Sequence, residues 1–475
     1  MTRLRPRRIG AIPGAVALLL ILPGTGAFAA AKQETFTLTS AVETALLRNI
    51  DMRQGKNQIQ AKDIEVRQQK ALFHPDLNLS GQVSRQTGRA PTGESDEYDT
   101  QNVTRTSIGL TSRLNLFNGF HDTSALRQAK TELAATRRDV SRLREEIIYQ
   151  TVNLYVAVVS AEELVRVEEE NLAAQREQLK LIAAFQEAGR RPLADLYLQQ
   201  AETARAEYRL LNARRNVRVN THLLLEFMGL DPGTPCRFSG LKTPDPDPGK
   251  TPNPDSDRRV AEALARRPDL LAQSERLEAA RLGIRSARSG FWPSLDLTLS
   301  TGTSTSSLVA DIYPYSQQAW ENNPYASLGL TLALPLADRA TTRTQVARAR
   351  LNLENERLAA ERLELQIATE VRQAVEDHRT SREEVAVTET QLKYSRQSLD
   401  STEARYRANA ATLAELSLAR SQLLQAHYDG IIARHALFLR RAALAYVGGD
   451  VASMMTVISA ADPHFDTAVD SRKPE

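Results

Sequence analysis

At 475 residues the chain is about three times a typical single-domain length. Only 5% of it is aromatic, 41% is hydrophobic and 25% charged, and its long tracts of Ala, Leu, Glu, Arg and Gln read as extended helices rather than two to four thick cores. The single cysteine, Cys236, excludes an intramolecular disulfide and any multi-cysteine metal site, and the net charge of +3 is more than accounted for by Arg3, Arg5, Arg7 and Arg8, so nucleic-acid binding gains no support.

Those four arginines precede an apolar run, Ile9 to Leu22, and a small-residue stretch, Ala27 to Ala31, the three regions of a secretory signal peptide with cleavage near Ala29. The apolar core is shorter than the ~20 residues a membrane span needs and contains Pro13. After cleavage no run of 18 apolar residues remains, so any insertion into a membrane must use strands.

The mature chain reads as a tandem duplication. Phe73-His74-Pro75-Asp76-Leu77-Asn78-Leu79 aligns with Phe291-Trp292-Pro293-Ser294-Leu295-Asp296-Leu297, and Leu193-Ala194-Asp195-Leu196 with Leu413-Ala414-Glu415-Leu416. The expected organisation is a signal peptide (1–29), a first repeat (36–230), a Pro-rich linker (231–257, with seven prolines), a second repeat (258–449) and a C-terminal tail (450–475).

Each repeat opens with one helix of about 36 residues, Leu38 to Phe73 and Arg258 to Trp292, stopped by Pro75 or Pro293. Two strands follow. Leu77, Leu79, Gly81 and Val83, then Ile108, Leu110, Leu114 and Leu116, alternate with polar residues, and Leu295 to Leu299 and Leu328 to Leu336 repeat the pattern. One apolar and one polar face over ~10 residues fits a transmembrane β-barrel. Gln86 to Asn102 and Thr301 to Pro324 read as polar loops outside the cell. Helices of about 69 residues come next, His121 to Gly189 and Arg339 to Arg407, with heptads at Leu126, Leu133, Val140, Ile147 and Leu154 and at Leu351, Leu358 and Leu365. Return helices of about 37 residues close the repeats, with Gly229 and Gly448 as their stops.

At 1.5 Å per residue the long helices reach roughly 100 Å, and the two shorter helices of a repeat, stacked end to end, match that length. Four strands cannot close a barrel, and open edges cannot sit in lipid, so oligomerisation is required. Three copies would supply twelve strands, enough for a water-filled lumen.

The chain resembles the TolC-like outer-membrane efflux proteins from about Phe36 to Gly449. The resemblance is carried by the duplicated helix-Pro-strand junctions, by Leu116-Phe117-Asn118-Gly119-Phe120, and by the hairpin turns Ala188 to Leu196 and Tyr406 to Leu416. It implies a mainly α fold with a trimeric twelve-stranded barrel, four strands per chain, on a periplasmic α-helical barrel. It also implies a passive exit duct of a tripartite efflux pump or type I secretion system, working with a periplasmic adaptor and an inner-membrane transporter of RND or ABC type. No catalysis, cofactor or metal is expected. The alternative class is a periplasmic adaptor or coiled-coil scaffold, which shares the long hairpins.

By position, the resemblance implies that Gly189, Arg190, Arg191 and Leu193, with Ala408, Asn409, Ala410 and Leu413, face an adaptor at the periplasmic tip; the simpler reading is that they only turn the chain. Gly189 supplies the positive φ of a tight turn, and Asn409 is the next-best residue for it. Asp195 and Glu415 would form rings of carboxylates in a threefold pore, favouring cations; the simpler reading is that each acid complements its helix dipole. Tyr406 and Asp195 match the family's closed-state lock. The sequence departs there, with Ala411 and Leu418 where the best-known member has an arginine and a second pore aspartate, leaving Arg190 or Arg191 to rebuild the lock. Phe73, Phe117, Phe120, Phe291 and Trp292 mark a membrane-interface belt or barrel-base packing.

Overall fold

The computed structural model describes residues 34–91, 98–242 and 255–462. The expected signal peptide lies outside them, as do the middle of the linker and the last thirteen residues. In chain order the first half contains β1 (Glu34–Phe36), α1 (Leu38–Arg48), α2 (Ile50–Ala71), β2 (Asn78–Pro91), β3 (Tyr98–Asn118), α3 (His121–Glu187) and α4 (Leu193–Phe227). After β4 (Cys236–Phe238) come α5 (Ser256–Arg266), α6 (Pro268–Arg288), β5 (Ser294–Ser306), the single turn α7 (Tyr315–Gln317), β6 (Tyr325–Ala333), α8 (Thr341–Arg407), α9 (Leu413–Val447) and α10 (Val451–Ala461).

The two long helices have 67 residues each and the return helices 35 each. The expected single opening helices are in fact broken, at Asn49 and at Arg267. Each break has a local cause. The Asn49 side chain accepts from the Met52 amide and starts α2 as an N-cap, while Arg267 stands before Pro268, which disfavours helix at its predecessor.

Both breaks are also joints. Asn49 Nδ2 donates to the Phe227 carbonyl at 2.8 Å, tying α4's last turn to the gap between α1 and α2, so that α2 and α4 lie along opposite halves of α3. Gly229, at φ 72°, lets α4's end close on Arg48; a Cβ there would stand 2.4 Å from the Arg48 carbonyl oxygen. In the second half Arg267 is buried and bridges Asp269 at 2.6 Å and Glu370 at 2.5 Å. The glycine with the left-handed conformation there is Gly449, at φ 66°, and not Gly448, which caps α9 in the ordinary right-handed region. One residue of overhang separates the two, because α9 ends at Val447 and the turn needs its positive φ two residues on.

Around the joints sits the main hydrophobic core, formed by Leu38, Val42, Ile147, Val152, Tyr155, Leu224, Met228, Phe438, Met454 and Ile458 with their neighbours. Two expectations are corrected here. The linker region contributes β4, which pairs in parallel with β1, and its last two positions already belong to α5. The C-terminal segment is not a loose tail as far as Ala461, because α10 puts Met454, Ile458 and Ala461 into that core.

Strands β2-β3-β5-β6 form one antiparallel sheet whose two outer edges are unpaired among the described residues. The strands outrun the sequence expectation. Pairing of β2 with β3 continues from Asn78↔Thr111 to Pro91↔Tyr98, so most of the expected 86–102 loop is a β-ribbon. Strand β5 continues to Ser306, and the rest of the 301–324 loop carries short helical turns, held by the Gln318 amide on the Ser306 and Tyr313 carbonyls. Polar composition misled because a two-stranded ribbon exposed on both faces has no apolar alternation to display. At the opposite end, Phe73, Phe120, Phe291 and Trp292 are exposed, and Phe117 packs edge-on against Phe120.

Tyr155 of α3 clamps the core. Its hydroxyl lies 3.0 Å from the Phe36 carbonyl and 2.8 Å from the Ser239 carbonyl, joining α3 to β1 and to the residue that follows β4. Burial pushes the phenol up from 10.0 to about 12. The folded protein therefore holds this proton more tightly than the unfolded chain, so the contribution is complete below pH 10 and is lost as pH rises toward 12. Thermal melts between pH 9 and 12 should show this loss, and Tyr155→Phe should flatten it while lowering stability at neutral pH by about 1–2 kcal/mol; an unchanged alkaline slope would refute the assignment.

Candidate functional site

The two hairpin turns lie together at the end of the helices farthest from the sheet. In the first, Gly189 has φ 66° and the Arg190 amide returns to the Phe185 carbonyl at 2.8 Å; in the second, Asn409 has φ 57° and the Ala410 amide returns to the Arg405 carbonyl at 2.7 Å. The same closing bonds thus occur in both, with the left-handed residue where the turn needs it.

Arg191 joins the turns. Its Nη2 donates to Asn409 Oδ1 at 3.1 Å, its guanidinium carbon stands 4.6 Å from the centre of the Tyr406 ring, and its Nη1 lies 3.9 Å from Asp195 Oδ2. One cation therefore contacts three of the positions singled out in the sequence. Beneath it, Tyr406 is buried with Ile182, Ala411, Leu413 and Leu416. Burial pushes the Tyr406 phenol above its ordinary value, against the pull of the Arg191 charge. A cavity of about 730 Å³ opens beside this cluster, walled by Phe185, Arg190, Arg191, Glu403, Arg407 and Arg420.

The two carboxylates are not equivalent in their surroundings. Asp195 faces Arg191, whereas Glu415 completes a capping box with Thr412, accepting from the Thr412 amide, and pairs with Arg405 at 3.3 Å. The tip residues also divide. Gly189, Arg190, Leu193, Ala408, Asn409 and Ala410 are exposed, but Leu413 is 4% exposed against 48% for Leu193. The expectation that Leu413 faces a partner is therefore corrected: its side chain is buried at the junction between the hairpins, packed with Ile182, Tyr406, Ala411 and Leu416. Leu418 points outward and exposed.

Sequence reasoning missed Arg405, Glu403, Arg420 and Gln178. Arg420 bonds to Glu403 at 3.0 Å and to Gln178 at 3.4 Å, linking α9 to α8 and to α3. Arg405 and Glu415 are ten residues apart, a separation that no helical period marks and that only the turn closes. Among the described residues no group of three or more His, Cys, Asp or Glu side chains comes together in a way that could hold a metal ion.

The family model described as outer membrane efflux protein matches residues 41–230 and 260–449. The chain belongs to the outer membrane efflux protein family. Its relatives include the outer membrane efflux protein BepC of Brucella suis, 22% identical over 408 residues that cover 84% of each chain. Protein CyaE of Bordetella pertussis is 25% identical and covers 88% of this chain and 85% of its own. Among solved structures, the Campylobacter jejuni CmeC outer membrane channel superposes with a TM-score of 0.77 at 17% identity, covering 92% of this chain and 88% of its own. This efflux protein is thus an outer-membrane channel, and the adaptor or scaffold alternative is set aside.

The packing at the tip generates a test that separates the two leucines. Leu413→Ala should destabilise the protein by about 2–4 kcal/mol through the cavity it leaves, read as a lower midpoint in a thermal melt. Leu193→Ala should shift stability by no more than about 0.5 kcal/mol. Equal effects would contradict the burial difference.

Proposed function

We propose that three copies of this chain close a twelve-stranded barrel through the outer membrane and an α-helical tube below it in the periplasm. The assembly is the passive exit duct of a tripartite efflux pump or type I secretion system, serving a periplasmic adaptor and an inner-membrane transporter of RND or ABC type. The observation that carries this reading is the four-stranded sheet: one face is apolar, and among the described residues both edges end in unpaired backbone, which lipid does not tolerate.

The helices support the same count of missing neighbours. Leu351, Leu358 and Leu365, a heptad stripe on α8, are 67%, 55% and 65% exposed in the single chain. Helix α8 packs on α6 and α9, and α2 packs on α3, so α8 and α2 are the two flanks of this half of the molecule. Leu47, Ile50 and Ile64 are exposed on α1 and α2. A stripe at one flank and apolar residues at the other fit copies placed side by side. The equal element order and equal helix lengths of the two halves support a tandem duplication.

At the periplasmic end, Gly189, Arg190, Arg191, Leu193, Ala408, Asn409 and Ala410 present the adaptor-facing tip. Arg191, set between Tyr406 and Asp195, holds the two hairpins together and takes the part for which Ala411 offers no charge. Asp195 and Glu415 bring carboxylates to the pore entrance three times over.

Two measurements test this. Replacing Leu351, Leu358 and Leu365 together by Glu should convert a detergent-stable trimer into monomers in analytical ultracentrifugation; a wild-type monomer, or a trimer indifferent to the change, would end the proposal. In planar bilayers Arg191→Ala should raise the open population roughly five- to thirtyfold, the equivalent of about 1–2 kcal/mol, and Asp195→Ala with Glu415→Ala should weaken cation preference. Unchanged gating and selectivity would remove these residues from the pore.

A further inference from the structure

The lipid-facing row that starts at Leu77 changes character within one strand. It runs Leu77, Leu79, Gly81 and Val83, then Arg85, Thr87 and Arg89. Leu79 and Val83 are 75% and 71% exposed, as expected of side chains that face hydrocarbon, and Arg85 and Arg89 are exposed on the same face two and six residues further on. The apolar row and the arginines therefore form one continuous surface, with the first guanidinium rooted about 7 Å beyond the last apolar Cα.

The partner strand matches this change. Arg85 lies opposite Thr104, Thr87 opposite Asn102 and Arg89 opposite Thr100. Thr87 donates to Asn102 Oδ1 at 2.7 Å, which assigns the oxygen to the strand pair and leaves the amide nitrogen of Asn102 to present its donors elsewhere. Residues 83–89 and 100–106 contain three arginines and neither Asp nor Glu. The third, Arg105, is opposite Ser84 and so belongs to the other face, the one that carries the polar residues of the sheet.

We infer that Arg85 and Arg89, with Thr87 and Asn102 between them, bind the phosphate groups of an anionic glycolipid in the outer leaflet. The inference rests on the orientation proposed above, with the helices in the periplasm and the Pro91 end of the ribbon outside. Three features of the surface select this ligand. It continues directly from the hydrocarbon-facing row, so a molecule that touches it has its acyl chains on Leu79 and Val83. Its charged groups are guanidiniums, whose planar donors match phosphate oxygens in pairs. Within 83–89 and 100–106 its polar side chains are donors and none is a carboxylate, the acids of the hairpin standing between Arg89 and Thr100 in the sequence. Long arginine stems also reach a headgroup at varied depth while keeping their apolar carbons on the barrel wall.

The test uses the full mature protein in neutral detergent, titrated with diphosphoryl lipid A, with dephosphorylated lipid A and with inorganic phosphate, binding being counted by native mass spectrometry. Wild type should retain diphosphoryl lipid A, and Arg85→Gln with Arg89→Gln should weaken retention about thirtyfold, roughly fivefold for each charge near an anionic surface. Arg105→Gln, on the opposite face, should leave retention unchanged and serves as the matched control for charge and folding. Equal retention by the double variant, equal loss in Arg105→Gln, or equal binding of dephosphorylated lipid A would overturn the inference. Competition by inorganic phosphate at the same concentration would assign the arginines to a free anion instead and overturn it too. Orientation is read separately: Thr87→Cys in a Cys236→Ser background should react with a membrane-impermeant maleimide on intact cells. Labelling without lipid retention would sink this inference alone, whereas absence of labelling would sink the orientation beneath it.

Discussion

The structure depends on covering each 67-residue helix along a length that no single partner in the chain can match. Two shorter helices do it by meeting end to end, and the meeting point brings helix termini, with their unpaired amides and carbonyls, into the interior. In the first half a neutral amide resolves this, since Asn49 starts one helix and bonds to the last turn of another. In the second half ions resolve it: Arg267 is held by Asp269 and Glu370, and nearby Arg142 donates to the Tyr446 carbonyl at 2.9 Å and covers the Tyr446 ring at 4.0 Å. Burial alone would draw the Arg267 charge off, but the two carboxylates reverse that and raise its pKa. The same geometric problem therefore has two chemical solutions in one chain. The core of Tyr155, Phe438 and Met454 condenses around these joints, and the seams elsewhere along the helices hold only small clusters.

That distribution has a mechanical consequence. A rod pinned near its middle and lightly packed toward its ends concentrates motion at the ends, where local opening is least opposed. At the tip the two hairpins are held by a handful of apolar side chains and by one arginine that lies across an aromatic ring, a carboxylate and an amide. Higher along the helices, the buried Glu168 bonds to Tyr428 and lies 3.4 Å from Arg209, again joining the first hairpin to the second.

At the other end the sheet imposes a different requirement. Leucines alternate onto one face and small polar residues onto the other, and among the described residues the two outer edges of the sheet have no partner strand. The close pairing of Gly109 with Gly302 lets the Tyr325 hydroxyl lie over both on the polar face, so even that surface is shaped by which residues lack a side chain.

Much of this was legible in the sequence. Period-two leucines declared the strands, heptads the long helices, prolines the helix-to-strand junctions, and the repeated Leu-Ala-acid-Leu motif placed the two hairpin turns; these are local patterns whose physical cause lies within a few residues. Gly189 and Asn409 could be named because a positive φ restricts residue choice on its own. What the sequence did not display was anything set by contact across the fold. The tying of the two helix breaks to Phe227 and Glu370, the burial of Leu413 beside an exposed Leu193, the strand built from linker residues and the docking of α10 all depend on neighbours from distant parts of the chain. Arg191 shows the difference most plainly: its residue type and its place in the turn are written in the sequence, but its choice of Tyr406 and Asn409, more than 200 positions away, exists only once both hairpins have folded side by side.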